Sequence, residues 1–229
     1  MKPLICVAAL LALCAAMLHF GFWQFNDPDL PVKGVDVSHY QGNIEWSALA
    51  DRGLKFAFIK ATEGSSSRDE TFADNWRGAM EAGLRVGAYH FFSYDTPGAS
   101  QAENFIDAVH PHDGMQPPVI DVEFYGDYDR HPPDAEVVIP QLRDMVEALK
   151  SRYGMKPILY ATGRSHRLYI EGRFDDCDLW IRNVYAVPGP GWTFWQYTDR
   201  ARLGGTSNGV PTIDMNVFRG SAGEFEAYP

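Results

Sequence analysis

Short apolar runs alternate along this chain with stretches in which apolar residues recur every three or four positions. Runs of the first kind predict strands at 34–40, 54–62, 84–92, 117–123, 156–162, 178–182, 192–198 and 213–218. Helical spacing predicts helices at 45–52, 70–82, 100–109 and 134–153. In the second of these, Phe72, Trp76, Ala79 and Met80 lie near one face, and Gly83 ends the pattern. In the fourth, Val138, Leu142, Met145, Val146 and Leu149 do the same before Gly154. Ser100 and Glu103 have capping-box spacing at the start of the third. Strand and helix in alternation predict a parallel sheet. Eight strands in a chain of 229 residues predict an α/β fold, a (β/α)8-type (TIM-like) barrel in a single domain. Helical units thin out after residue 170, so the barrel is expected to be irregular.

The first 25 residues break the pattern. Lys2 is followed by an unbroken apolar run from Leu4 to Leu18, and the apolar character resumes after His19 through Phe25. The shorter run has the length of a signal-peptide core, with Ala15 or Ala16 as the residue before cleavage. The longer one suffices to span a bilayer, with Trp23 and Phe25 as interfacial anchors. Residues 1–25 therefore read as a signal peptide or an uncleaved membrane anchor, 26–33 as a linker, and 34–229 as the barrel. Either reading places the protein outside the cytoplasm, periplasmic or extracellular, and attached to a membrane if the segment is kept.

Charge narrows the partners. The formal net charge is −10, and Lys2 is the only charged side chain in the first 25 residues, so the remainder carries −11. A nucleic-acid partner is not expected, because that affinity comes largely from basic contacts to phosphate. Cys6 and Cys14 lie in the leader, which leaves Cys177 alone in the body without an intradomain disulfide. The neighbours Asp175, Asp176 and Asp178 argue against a reactive thiol there.

Chemistry gathers at the C-terminal ends of barrel strands, and acids stand at several of those ends. Asp121 and Glu123 sit two positions apart in VIDVE, so a strand turns both to one face. Asp36 lies in GVDVSHY and Asp214 in IDMNVF. Two close carboxylates in an apolar setting push at least one pKa upward. That suits glycoside hydrolysis, which needs a carboxylic acid to protonate the leaving oxygen and a second group to support the cationic centre. Glu123 is the expected acid, with Asp121 and Asp36 raising its pKa. Tyr89, Phe91, Tyr125, Tyr160 and Trp195 are candidate platforms for sugar rings, and His90 and Gln196 candidate polar contacts. The competing reading makes each acid a helix cap or loop ligand, and it weakens when Asp36, Glu63, Asp121 and Asp214 fall on four separate strands, with Glu123 paired to Asp121.

The ordered set GVDVSHYQGNIEW, FAFIKATEG, GAYHFF, VIDVE, TFWQYTD and IDMNVF, from Gly34 to Phe218, resembles the glycoside hydrolase family 25 lysozymes, the Chalaropsis-type muramidases. The resemblance implies an irregular barrel that cleaves the β-1,4 bond between N-acetylmuramic acid and N-acetylglucosamine in peptidoglycan. It matches Glu123 to the general acid and Asp121 to the group that orients the substrate acetamide. Asp36 and Asp214 match the flanking acids of the cleft floor. It leaves both a substrate-assisted and a water-inverting route open. Arg182, in LWIRNVY, stands where the family usually has a small residue. It either enters the cleft, to pair with an acid or the substrate's lactyl carboxylate, or points to solvent. No cofactor is implied, and a monomer is expected.

Three further readings complete the field. Residues 205–209 fit G-x-S-x-G but lack the flanking strand and helix of a nucleophile elbow. A metal-dependent glycan deacetylase would draw ligands from Asp36, His90, Asp121 and Asp214, with His110 and His112 as looser candidates. A membrane-tethered peptidoglycan-binding protein without turnover is the rival from another class, and it predicts a replaced acid where none is replaced.

Overall fold

The computed structural model describes residues 29–203 and 212–229. The expected leader or anchor and the 205–209 loop lie outside the described residues. Nine strands occur among the described residues. They are β1 (Lys33–Val37), β2 (Phe56–Glu63), β3 (Ser67–Arg68), β4 (Arg85–Phe91), β5 (Val119–Val122), β6 (Ile158–Thr162), β7 (Asp178–Arg182), β8 (Phe194–Ala201) and β9 (Ile213–Phe218). All but β3 form one closed barrel in the order β1-β9-β8-β7-β6-β5-β4-β2, with β1 pairing back to β2. β3 is a two-residue antiparallel extension of β2.

Seven barrel strands run parallel, as the strand–helix alternation predicts. The eighth, β9, is antiparallel to both neighbours. Eleven residues separate β8 from β9, fewer than a parallel crossover normally takes. The chain therefore returns as a hairpin.

Helices α1 (Trp46–Asp51), α2 (Phe72–Glu81), α3 (Gly98–Ala108) and α4 (Ala135–Tyr153) cover the outside of the early strands. After β6 only a short turn, α5 (Gly163–Ser165), and a π-helical turn (His166–Ile170) follow. No helix lies between β7 and β8, and α6 (Ala222–Ala227) ends the chain. Helix α3 begins earlier than expected: Pro97 is its N-cap, and Ser100 Oγ donates to the Pro97 carbonyl at 2.9 Å from within the first turn. The expected Ser100–Glu103 capping box is thus not the start of this helix.

Strand alternation sorts the core into an inside and an outside. Phe56, Phe58, Val119, Ile158, Trp180, Phe194 and Phe218 pack together within the barrel, closed below by Phe225 of α6. Their odd-numbered or even-numbered neighbours, such as Ala57, Ile59, Ile120 and Ile181, face the outer layer. The interior is crowded. A Cβ on Gly34 would stand 2.5 Å from the Phe56 ring, and one on Gly87 2.7 Å from Phe58. Two bare backbone positions thereby make room for two phenylalanines, each worth about 2 kcal/mol when buried. Arg85 ties the C-terminus beneath the barrel, donating to the carbonyls of Phe225 at 2.7 Å and Tyr228 at 3.1 Å. The lower half of the barrel is filled by rings, and a cavity opens at the opposite rim.

Candidate active site

That space is a cavity of about 330 Å³ at the C-terminal ends of the parallel strands. Asp36 of β1, Lys60 of β2, Tyr89 and Phe91 of β4, Asp121 at β5 and Glu123 just after it all line it. Tyr160, Trp180, Arg182, Gln196, Asp199 and Asp214 complete the wall. The four acids thus arrive from the ends of two parallel strands, β1 and β5, and from the start of β9. Reversal of β9 is what brings Asp214 to this rim: it pairs directly across the ladder with Asp36.

Asp36 is the most heavily ligated acid. Gln196 Nε2 donates to both its oxygens, at 2.9 and 3.1 Å, and Asn216 Nδ2 donates at 2.6 Å. Each donor amide is itself oriented. Tyr160 OH donates to Gln196 Oε1 at 3.0 Å, and Trp180 Nε1 donates to Asn216 Oδ1 at 2.8 Å. These donors favour the anion and counter the burial that raises the Asp36 pKa. Asp214 has little such help. Burial and the facing Asp36 charge hold its pKa well above the ordinary carboxylate range, and it shares a hydrogen bond with Asp36. The pair is thus best served by an anionic Asp36 and a protonated Asp214.

The Asp121–Glu123 pair lies across the cavity. Asp121 is buried, with one oxygen lacking any hydrogen-bond partner among the described residues. Burial first, then the Glu123 and Asp36 charges, push its pKa far upward. Glu123 is more accessible. Its pKa is also raised, chiefly by burial, while the Arg182 guanidinium pulls it back.

Arg182 faces the cavity rather than the solvent and pairs with Asp199 at 2.7 Å. Lys60, Asp199 and Asn216 were not anticipated. Lys60 Nζ bonds Glu63 at 2.6 Å and lies 4.8 Å from the Phe91 ring centroid. A bulge between Lys60 and Thr62 turns Lys60 and Glu63 to the same side. Its signal was a cation inside the apolar run FAFIKAT. Tyr40, 69% exposed beside the cavity, was missed as well.

Three expected contacts are corrected. His90 points outward from β4: Nδ1 pairs with Thr62 Oγ1 at 2.7 Å, and Nε2 with Gln101 Oε1 at 3.0 Å. Trp195 also points outward, donating to the Asn183 carbonyl at 2.9 Å and packing against Trp192. Each is adjacent to an inward residue, Tyr89 or Gln196, so the pleat sends it to the other face. Tyr125 stands beside the cavity wall, its ring 5.5 Å from Phe91 and its hydroxyl engaged by Ser93, Tyr94 and Asp95. With His90 turned away, the ligand set imagined for a deacetylase is broken up. Among the described residues, no group of three or more His, Cys, Asp or Glu side chains is arranged to hold a metal ion. Burial, then Asp176, pushes the Cys177 thiol up to about 12.

This constellation can be set beside known proteins. The chain matches the model for glycosyl hydrolases family 25 over residues 35–206. It is 32% identical over 212 residues to lysozyme M1 of Streptomyces globisporus, covering 83% of this chain and 69% of that one. It is 31% identical over 206 residues to the N,O-diacetylmuramidase of Chalaropsis sp, covering 77% and 92%. Among solved structures, a family 25 glycosyl hydrolase from Bacillus anthracis superposes with a TM-score of 0.86 at 47% identity, covering 90% of this chain and 97% of that one. A bacterial lysozyme from Streptomyces coelicolor gives 0.76 at 31%, covering 87% and 97%. The chain belongs to glycosyl hydrolase family 25.

Proposed function

We propose that the protein is a lysozyme, hydrolysing the β-1,4 bond between N-acetylmuramic acid and N-acetylglucosamine in peptidoglycan. The observation that carries this reading is the four-acid cavity, in a chain whose relatives include a lysozyme and an N,O-diacetylmuramidase. Glu123 is the general acid. Burial favours its protonated form, and its greater accessibility lets it reach the glycosidic oxygen.

Asp121 has the complementary task. Its partnerless buried oxygen is an acceptor poised for the N–H of the substrate acetamide. Holding that amide turns the acetyl oxygen toward the anomeric carbon, so the substrate supplies its own nucleophile. Asp36 and Asp214 form the floor, and the anionic Asp36 adds negative potential beneath the oxocarbenium-like centre. Arg182 tunes Glu123 and stands where it can meet the lactyl side of muramic acid.

Export belongs to the same proposal, with residues 1–25 as leader or anchor. The binder without turnover is not favoured, since every acid is in place. Clearing of purified sacculi tests the reading. Wild-type protein is expected to clear them, and Glu123→Gln to do so roughly 10²–10⁴-fold more slowly. Equal rates would remove Glu123 from the mechanism, and sacculi that bind the protein but stay intact would remove hydrolysis.

A further inference from the structure

The helix layer has a gap. Between β7 and β8 the chain runs through residues 183–193 without a helix, so the outward side chains Leu179 and Ile181 pack in one cluster with Trp192 of this connection instead of under a helix. The loop and the π-helical turn stand on either side of a groove of about 650 Å³. Trp192 lies in its wall, and Tyr185, 86% exposed, lies at its edge. The groove is built rather than incidental. Asn183 Oδ1 accepts from the backbone of Tyr185 at 3.2 Å and of Ala186 at 3.1 Å. The Asn183 carbonyl accepts from Trp195 at 2.9 Å, and the Thr193 amide bonds the Leu179 carbonyl at 2.8 Å.

Two features connect this groove to the cavity. Arg182 lines both. Thr162 and Gly163 bring the groove to the same rim as the acids, at the C-terminal end of β6. Two cations, Arg167 and Arg182, stand at this end, the second already paired with Asp199. Arg167 has no ion pair among the described residues. Its Nη1 lies near the rim, 3.6 Å from where a Cβ on Gly163 would stand. Glu171 is the acid that lines the groove with them.

We infer that this groove binds the short, carboxylate-bearing peptide that peptidoglycan carries on the lactyl group of muramic acid. The inference rests on the lysozyme reading and extends it. A glycan seated over Glu123 would send its lactyl substituent past Arg182 and out of the cavity. The groove continues from that point. Arg167 meets a peptide carboxylate, while Leu179 and the exposed Tyr185 cover small apolar side chains. A wall fixed by Asn183 needs little ordering when the peptide arrives.

The test compares peptide-bearing glycan strands with the same strands stripped of peptide by an amidase. Wild-type protein is expected to cleave the peptide-bearing strands with the higher kcat/KM. Arg167→Glu and Tyr185→Ala, both at exposed positions, are expected to lower that value about fivefold, the scale of an exposed charge contact. They should leave the stripped strands cleaved at the wild-type rate. Equal wild-type rates on both substrates, or an equal fall on both in the variants, would overturn the inference. Failure to cleave either substrate would overturn the lysozyme reading instead. Titration of the peptide released by the amidase into the full chain then decides the groove. Binding that weakens with Arg167→Glu supports it, and no binding overturns it.

Discussion

Asp214 faces Asp36 directly across the β1–β9 ladder, and the two carboxyls share a hydrogen bond inside a cavity. Asp214 is the member whose charge the fold opposes most. Its folded pKa lies above its unfolded one, so the folded state holds the proton more tightly. Stability is therefore full below the unfolded value and falls as pH rises through the folded one. Asp214→Asn keeps a donor to Asp36 and removes that penalty. The variant is expected to melt a few degrees above wild type at pH 7, at roughly 2–4 °C per kcal/mol for a chain of this size. At pH 3 the two should melt together. A lower melting temperature at pH 7 would contradict the proposed sharing of one proton.

Asn216 links the acid floor to the aromatic core, with Asp36 on one side of its amide and Trp180 on the other. Asn216→Leu strips a donor from a buried carboxylate and an acceptor from a buried indole. A loss of about 2–4 kcal/mol is expected from two unsatisfied buried groups. Chemical denaturation with an unchanged m-value checks this, and a change under 1 kcal/mol would show that water replaces the amide.

Arg182 lowers the Glu123 pKa against the larger effect of burial. In its proposed role as general acid Glu123 works only while it holds its proton, so the rate is expected to fall as pH rises through that pKa. Removing the guanidinium in Arg182→Gln should move the alkaline limb of the kcat/KM profile to higher pH. Profiles of the two proteins on one soluble glycan settle the point, and an unmoved limb would detach Arg182 from Glu123.

His90 works in the opposite direction. Burial lowers its pKa from 6.5 to about 4. The unfolded chain binds the proton more readily, so stability is lost as pH falls from about 6.5 toward 4. The scale is roughly 3 kcal/mol, from 1.36 kcal/mol per unit. His90→Gln should flatten the dependence of stability on pH in this window while costing some stability at pH 7. An equally steep slope in the variant would place the acid sensitivity elsewhere.

Much of this was legible in the sequence. Every expected barrel strand is present, and the alternation that turned Asp121 and Glu123 to one face governs the interior apart from the irregularities in β2 and β8. The same rule, applied to GAYHFF, would have turned His90 away once Tyr89 and Phe91 faced in. In TFWQYT it would have separated Trp195 from Gln196. Strand parity, and not residue type alone, decides which of these side chains reach the cavity. Other features depend on closure and were harder to read. The direction of β9 follows from a connection too short for a crossover. The role of Asn216 exists only because Asp36 and Trp180 converge on it from β1 and β7. The final helix α6, too short for a clear periodic signal, matters because its Phe225 closes the barrel floor.

The central claim is that Glu123 protonates the bond on the reducing side of muramic acid. The most direct test is to digest purified sacculi, reduce the fragments with borohydride and identify the new ends by mass spectrometry. The expected result is reduced muramic acid at the new ends, formed by wild-type protein and absent with Glu123→Gln. Reduced glucosamine ends, or muramic acid ends that persist with Glu123→Gln, would contradict it.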